Sequence, residues 1–390
     1  MSVPENPEQA VVEGLSPVRR LPTDPPGDAP EPGVALCLSG GGYRAMVFHA
    51  GALWRLNELG WLPKLDRVSS VSGGSITAGV LAHGWSQLAF DGDGYGQGFE
   101  QAVVAPIRKL AGKTIDVSAG LKGIFLPGSV ASFVARRYDR ELFDGTTLQS
   151  LPDRPRFVFN ATNLQSGVLW RFSKAYMWDY RVGKIPQPDE KLSIAVAASS
   201  AFPPFLAPMR LKLSPGDYEQ GTGTDLEQEA YQRRPPLADG GVYDNLGLET
   251  AWKRYSTVLV SDGGGHISAK ERIRTNWVLQ ATRVLGVIDS QVRALRKRQI
   301  VGGFAAGLRE GAYWSIWSHL ADFALADALQ VADAAATELA RTPTRLAKLE
   351  APHQERLINW GYAVCDTAMR AHVIPGTPRP GSLPYPATGV

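Results

Sequence analysis

Cysteine is nearly absent from this 390-residue chain: only Cys37 and Cys365 occur. Two thiols exclude a disulfide framework and a cysteine-based zinc site. No run of about 18 or more uncharged apolar residues is present, so no transmembrane helix is expected. A large charge of one sign is also missing. The formal net charge is +3, with a pI near 8.8, too mild to imply nucleic acid as a partner. The opening "MSVPENPEQAVVEG" has no apolar signal region, so the default compartment is cytoplasmic. Peripheral contact with a membrane surface stays open. No calcium loop or metal motif is visible, and no cofactor is expected. What the chain does have is apolar mass. Hydrophobic residues make up 44% and Trp alone contributes 10, enough for a sizeable core.

The ends differ from the middle. Residues 1–33, with "PTDPPGDAPEPG" at 22–33, read as a proline-rich flexible leader. Residues 375–390, "PGTPRPGSLPYPATGV", read as a flexible tail. Between them "VALCLS" (34–39) is a buried-strand candidate. A glycine turn and a helix to Gly60 follow. "RVSSVS" (67–72) is a second strand-like run, and a helix follows from about Gly74. Strand, turn, helix, strand is a βαβ unit, which requires a parallel sheet with helices packed on it. Further strands are expected at 156–162, 169–174 and 257–262, and a helix at 192–201. From Ser268 the pattern turns helical. Ser268 and Glu271 form a capping box. Ile273, Trp277, Ala281, Val284, Ile288, Val292 and Leu295 then recur at helical spacing. The expected organisation is a core over 34–267 and a C-terminal helical annex over 268–374 packed on it.

The stretch "SSVSGGS" (69–75) raises a chemical question. A serine hydroxyl becomes a nucleophile only with exposure at a sharp turn, a base within reach and donors for the oxyanion. Only Ser72 ends the strand-like run with small residues at both ±2 positions, Ser70 and Gly74, as a strand-to-helix elbow requires. Centring the elbow on Ser75 would place β-branched Thr77 where a small residue is needed. Ser69 and Ser70 lie within the strand.

Gly40, Gly41 and Gly42 follow the first strand and precede Arg44. Successive glycines can turn backbone N–H groups toward an anion at a helix N-terminus. Gly40, Gly42 and Ala45 also fit a dinucleotide fingerprint, but the acidic residue it needs should end the second strand. Asp66 precedes that strand instead. Two Asp-Gly-Gly segments offer a base: Asp239 in "ADGGVYDN" and Asp262 in "SDGGGH". Burial could raise either carboxylate into a useful range. Among the six histidines, His49 and His83 fall within or at the end of helices. His319, His353 and His372 lie in the annex without a local signature. His266 alone sits at a strand end, where a Ser-His-Asp hydrolase would place one.

Glycine loop, serine elbow and distal Asp-Gly-Gly, in this order over about residues 34–265, resemble the patatin-like phospholipase family and its relative cytosolic phospholipase A2. The resemblance implies a three-layer α/β/α fold with a mostly parallel central sheet. It also implies a lipid acyl hydrolase of phospholipase A or lysophospholipase type, working through a serine–aspartate dyad without histidine. Ser72 matches the family's nucleophile. Asp239 matches its base, because Asn245 completes the Asp-Gly-Gly-x-x-x-Asn pattern. Gly40, Gly41 and Gly42 match the oxyanion loop, which Gly73 N–H would assist. Arg44 would support the loop or meet phosphate. "ASSAFPPF" (198–205) is similar to the segment before the family's aspartate and would bring Phe202 and Phe205 to an acyl pocket. Ser70 and Ala45 stand where the family usually has glycine; both are small. The implied partner is a phospholipid or other lipid ester.

Two alternatives remain at this stage. One is a Ser-His-Asp esterase using His266. The other is a nucleotide- or lipid-binding module without hydrolysis. Two further segments bear on access to lipid. "RALRKRQI" (293–300) carries four cations, and "YWSIW" (313–317) is rich in aromatics. Either could face an interface, though solvated and packed roles are commoner for such segments. Oligomeric state has no sequence signal.

Overall fold

The computed structural model of the chain describes residues 30–115, 130–204, 206–273 and 276–390. Strand β1 (Glu31–Leu38) shows what organises it. Side chains alternate across a strand, and here both faces are buried. Leu36 and Leu38 enter one apolar core, Ala35 and Cys37 a second. A strand buried on both sides reads as a continuous apolar run, as "VALCL" does.

Helix α1 (Gly42–Glu58) follows β1, and β2 (Arg67–Ser70) leads into α2 (Gly73–Gly84). Strands β3 (Arg156–Asn163), β4 (Val168–Phe172), β5 (Tyr176–Asp179) and β6 (Gly183–Pro186) form an antiparallel run. Helix α3 (Leu192–Ser199), β7 (Met209–Arg210), β8 (Pro236–Asp239), the single turn α4 (Gly241–Asp244) and β9 (Tyr255–Asp262) follow. Then come α5 (Trp277–Ala305), β10 (Glu310–Ser315) and α6 (Ala351–His372).

The ten-stranded sheet runs β10-β9-β1-β2-β3-β4-β5-β6, with β8 paired to β3 and β7 to β8. The pairings from β10 through β3 are parallel. Helices cover this sheet, giving the α/β architecture expected. No helix among the described residues is long and apolar enough to cross a membrane.

One register detail positions the site. β2 pairs with the first half of β3 and stops at Ser70, opposite Phe159. β4 occupies the far edge of β3's second half. β8 therefore pairs along the same edge as β2, antiparallel, with Asp239 opposite Ala161. It extends the lane that β2 vacates. Ser72 and Asp239 thus meet end to end.

The expected boundaries change at both ends. The proline-rich leader lies mostly outside the described residues, but β1 already begins at Glu31, three residues before the expected start. The segment after Ser268, expected as a helical annex, also contributes a strand. β10 joins the central sheet beside β9, so "YWSIW" begins as a strand rather than a helix. α6 packs along α1 in the middle of the larger core. Arg55 of α1 pairs with the buried Asp366 of α6 at 2.8 Å. Ser268 and Glu271 do not cap a helix, because α5 starts only at Trp277.

The tail at 375–390 is docked. Asn359 Nδ2 donates to the Tyr385 carbonyl at 2.8 Å, and Tyr385 N–H returns a bond to Asn359 Oδ1 at 2.9 Å. The Tyr385 ring packs edge-on against Trp54. Proline-rich composition removes backbone donors, but an aromatic and two turn carbonyls were enough to fix this segment.

α1 and α6 approach backbone to backbone. A Cβ on Gly51 would collide with the Ile358 carbonyl, and one on Gly361 with the Phe48 carbonyl. Gly361→Ala should therefore cost about 1–3 kcal/mol. The test is a denaturant titration, with a lowered midpoint and an unchanged slope as the expected result.

Candidate active site

The serines of "SSVSGGS" have separate partners. Ser69 Oγ donates to the Gly247 carbonyl at 2.6 Å. Ser75 Oγ donates to Ser70 Oγ at 2.9 Å and lies 2.8 Å from Ser199 Oγ. These three serines are fully buried. Ser72 is partly exposed and stands at the corner between β2 and α2. Its backbone has φ 52° and ψ −120°, a region that a non-glycine residue adopts only when its surroundings impose it. Here they do. Ser72 N–H is held by Ser199, at 3.2 Å to its carbonyl and 3.1 Å to its hydroxyl. Small residues are required around the corner, since a Cβ on Gly73 would strike the Gly42 carbonyl.

Gly41 and Gly42 have φ of 147° and 60°, and both conformations favour glycine. Their loop is tied down from the far end of the chain. Tyr43 N–H donates to the Arg345 carbonyl at 3.0 Å. The Arg44 side chain donates to the Gly263 carbonyl at 3.0 and 3.1 Å and to the Thr342 carbonyl at 2.7 Å. Arg44 is 3% exposed. It braces the loop, and its buried guanidinium is spent on these backbone carbonyls. Gly40 also leaves the expected donor set, because its N–H is spent on the Asn245 carbonyl at 3.0 Å. Among the described residues the N–H groups of Gly41, Gly42 and Gly73 have no acceptor. They lie where the loop meets the corner.

The two Asp-Gly-Gly segments have opposite electrostatics. Asp262 is buried, which alone would raise its pKa. Arg293, the Gly264 N–H and the Tyr313 hydroxyl outweigh burial and hold it at about 2. Arg293 lies 3.0 Å from Oδ1, and the Tyr313 hydroxyl 2.8 Å from Oδ2. Asp239 is buried with far less compensation. Burial raises its pKa to about 7, against the pull of the Gly241 N–H and the Ser72 hydroxyl. Gly241 N–H donates to Oδ1 at 2.8 Å. Among the described residues Oδ2 has no partner within hydrogen-bond geometry, so the contact with Ser72 is loose. Catalytic hydrogen bonds are commonly long before substrate arrives. A carboxylate poised near neutrality can accept a proton; one held at 2 cannot do so usefully.

Other expected residues divide. His266 stacks on Trp317 at 4.6 Å and, among the described residues, forms no hydrogen bond to Ser72, Asp239 or Asp262. No Ser-His-Asp relay is assembled. His49 is buried between Ser39 and Ser261. Asp66 braces Val34 N–H at 2.9 Å and pairs with Arg154, away from the glycine loop, so the dinucleotide reading fails. Phe202 is 59% exposed. The turn at Pro203–Pro204 carries it to the surface near Asp239, not into an enclosed acyl pocket. Phe205 lies outside the described residues.

The sequence reading missed several supports. Asn245 sits between Gly40 and Gly241, its Oδ1 crowding both. The Asn of Asp-Gly-Gly-x-x-x-Asn could have been read as a bridge between the two loops. Arg293 counted only as one of four cations in "RALRKRQI", yet it neutralises Asp262. Tyr313 of "YWSIW" serves the same carboxylate, and Trp314 is fully buried, so this segment is not an interfacial anchor.

The family model for patatin-like phospholipase matches residues 36–252. No curated protein matches the chain. Among solved structures, human GIVD cytosolic phospholipase A2 in complex with methyl gamma-linolenyl fluorophosphonate inhibitor and terbium chloride is 15% identical with a TM-score of 0.51. That alignment covers 87% of this chain and 58% of the human one. VipD from Legionella pneumophila is 15% identical with a TM-score of 0.37, covering 87% of this chain and 67% of its own. At 15% identity the likeness to the human enzyme concerns fold, and this chain spans under two thirds of that enzyme's length. The family match is of another order: it spans more than half of the chain and contains the glycine loop, Ser72 and Asp239. The chain belongs to the patatin-like phospholipase family.

Proposed function

We propose that the chain is a lipid acyl hydrolase of phospholipase A or lysophospholipase type, with Ser72 as nucleophile and Asp239 as general base. The observation that carries this reading is the buried Asp239 carboxyl, raised to about 7 and lying against the hydroxyl of a strained, partly exposed serine. Asp239 takes the Ser72 proton as Oγ attacks the ester carbonyl. Gly41, Gly42 and Gly73 N–H groups stabilise the oxyanion. The C–O bond breaks, and the departing alcohol or lysolipid takes the proton from Asp239. Water then attacks the acyl-enzyme and gives its proton to Asp239. The fatty acid leaves and Ser72 is reprotonated. No histidine takes part. The two cysteines are free and buried, which fits the reducing cytoplasm.

The test pairs labelling with product analysis. A fluorophosphonate probe should add once to the wild type, at Ser72, and not to Ser72→Ala. A diacyl phospholipid should yield fatty acid and lysolipid, and its ether-linked analogue neither. Labelling at another residue, or turnover by Ser72→Ala, would overturn the dyad.

A further inference from the structure

Helix α5 is amphipathic in the wrong direction for a helix that only packs. Its inward side meets the site through Arg293, which reaches Asp262, and through Ile300, which is fully buried. Its outward side carries Val284, Leu285, Val287, Ile288, Val292 and Leu295, each more than a third exposed. Val284, Ile288, Val292 and Leu295 follow i, i+4, i+8, i+11, which is one continuous stripe. A stripe of this size left to water marks an interaction surface. Its charge selects the partner. The helix sequence "WVLQATRVLGVIDSQVRALRKRQIVGGFA" holds five arginines or lysines and one acid, Asp289; Arg293 and Arg296 are spent on Asp262 and Glu249, which leaves Arg283, Lys297 and Arg298 to face a partner. Arg298 is exposed and Arg283 half-buried; among the described residues their side chains bond to the backbone carbonyls of Ala294 and Ser268. Val242, on α4 against which α5 lies, is 53% exposed, and Phe202 stands near the same base.

We infer that the outward face of α5 is a docking surface for an anionic lipid bilayer, which it meets lying in the plane of the interface. An apolar stripe flanked by cations is the pattern of helices that bind this way. Each basic residue near such a surface strengthens binding roughly fivefold. The choice of a bilayer over a protein partner rests on the lipid-hydrolase reading. The stripe would then set the site against its substrate, because Arg293 ties α5 to Asp262 and the Gly265 carbonyl, in the loop whose Gly263 carbonyl accepts from Arg44.

The test uses the full chain and vesicles of ether-linked phosphatidylcholine, with or without ether-linked phosphatidylserine, which have no acyl ester to cleave. Wild type should co-sediment with the serine-containing vesicles, and less so at high salt. Leu285→Asp combined with Ile288→Asp should weaken binding by about tenfold or more, and Arg283→Glu combined with Arg298→Glu by a similar factor. The Leu285, Ile288 and Arg298 side chains are exposed and Arg283 is half-buried, and circular dichroism checks that both variants fold. Hydrolysis of a water-soluble short-chain ester should be unchanged in both. Loss of ester hydrolysis in wild type would refute the hydrolase while leaving vesicle binding to be read on its own. Two results would overturn the surface. One is variants that bind vesicles like wild type. The other is a wild-type dimer by light scattering that the Leu285→Asp and Ile288→Asp pair dissolves, which would give the face to a second copy of the chain.

Discussion

Replacing Ser72 with Ala should lower acyl-ester hydrolysis by about 10⁴-fold or more, with folding intact. The size follows from the loss of the nucleophile in a site whose parts act as a unit, where a small residual rate remains from the oxyanion donors and binding. Folding should survive because the hydroxyl makes only the loose contact with Asp239, while the corner is held by backbone bonds to Ser199. Ser75→Ala provides the control. That hydroxyl joins Ser70 to Ser199, so its loss should reduce stability by about 1–3 kcal/mol and activity only modestly. Hydrolysis of one soluble ester and a denaturant midpoint, measured on both variants, separate the two serines. Equal loss of activity in both would remove Ser72 from its special place.

Asp239→Asn should lose about 10²–10⁴-fold in activity while becoming more stable at alkaline pH. The sign follows from the raised pKa. The carboxyl sits near 3.9 in the unfolded chain and near 7 in the fold. Its favourable contribution is complete below the unfolded value and is lost as pH rises through 7. Near pH 8 wild type therefore carries a charged carboxylate that the fold disfavours by about 2–4 kcal/mol. Asparagine carries no such charge and can still accept from Gly241. The stability gain of Asp239→Asn should be present near pH 8 and absent near pH 4. Asp262→Asn should behave oppositely. Asp262 is held at about 2, so its stabilisation is present above the unfolded value and lost only as pH falls through 2. Its replacement should destabilise the fold at neutral pH, because Arg293 would lose its partner. In wild type, kcat/KM should climb with pH and level off above about 7. A profile flat from pH 5 to 8 would remove Asp239 as the base.

The candidate site is legible in the sequence through its local patterns. A small-residue pattern singled out Ser72, and Asp-Gly-Gly-x-x-x-Asn favoured Asp239 over Asp262 through family resemblance. What separates the two aspartates physically was not legible. Both precede glycines, and only tertiary placement brings Arg293 and Tyr313 to one of them. Gly40 was counted as an oxyanion donor because glycine spacing says nothing of which N–H is already spent. Periodicity found α5 but not its orientation. A stripe every three or four residues establishes an apolar face, and the face proved to point away from the protein. β10 escaped because "EGAYWS" is short and sits among helical runs. Its pairing partner, β9, is distant in sequence.

The clasp between the glycine loop and the segment around Arg345 has a consequence in time. The ribosome makes Ser72 early and the Thr342 and Arg345 carbonyls late. At about 5–20 residues per second the interval is on the order of tens of seconds. Throughout it, Tyr43 and Arg44 lack the acceptors that fix the loop, and α1 lacks the helix that fits its glycine face. A nascent chain therefore carries Ser72 long before the glycine loop beside it can be fixed.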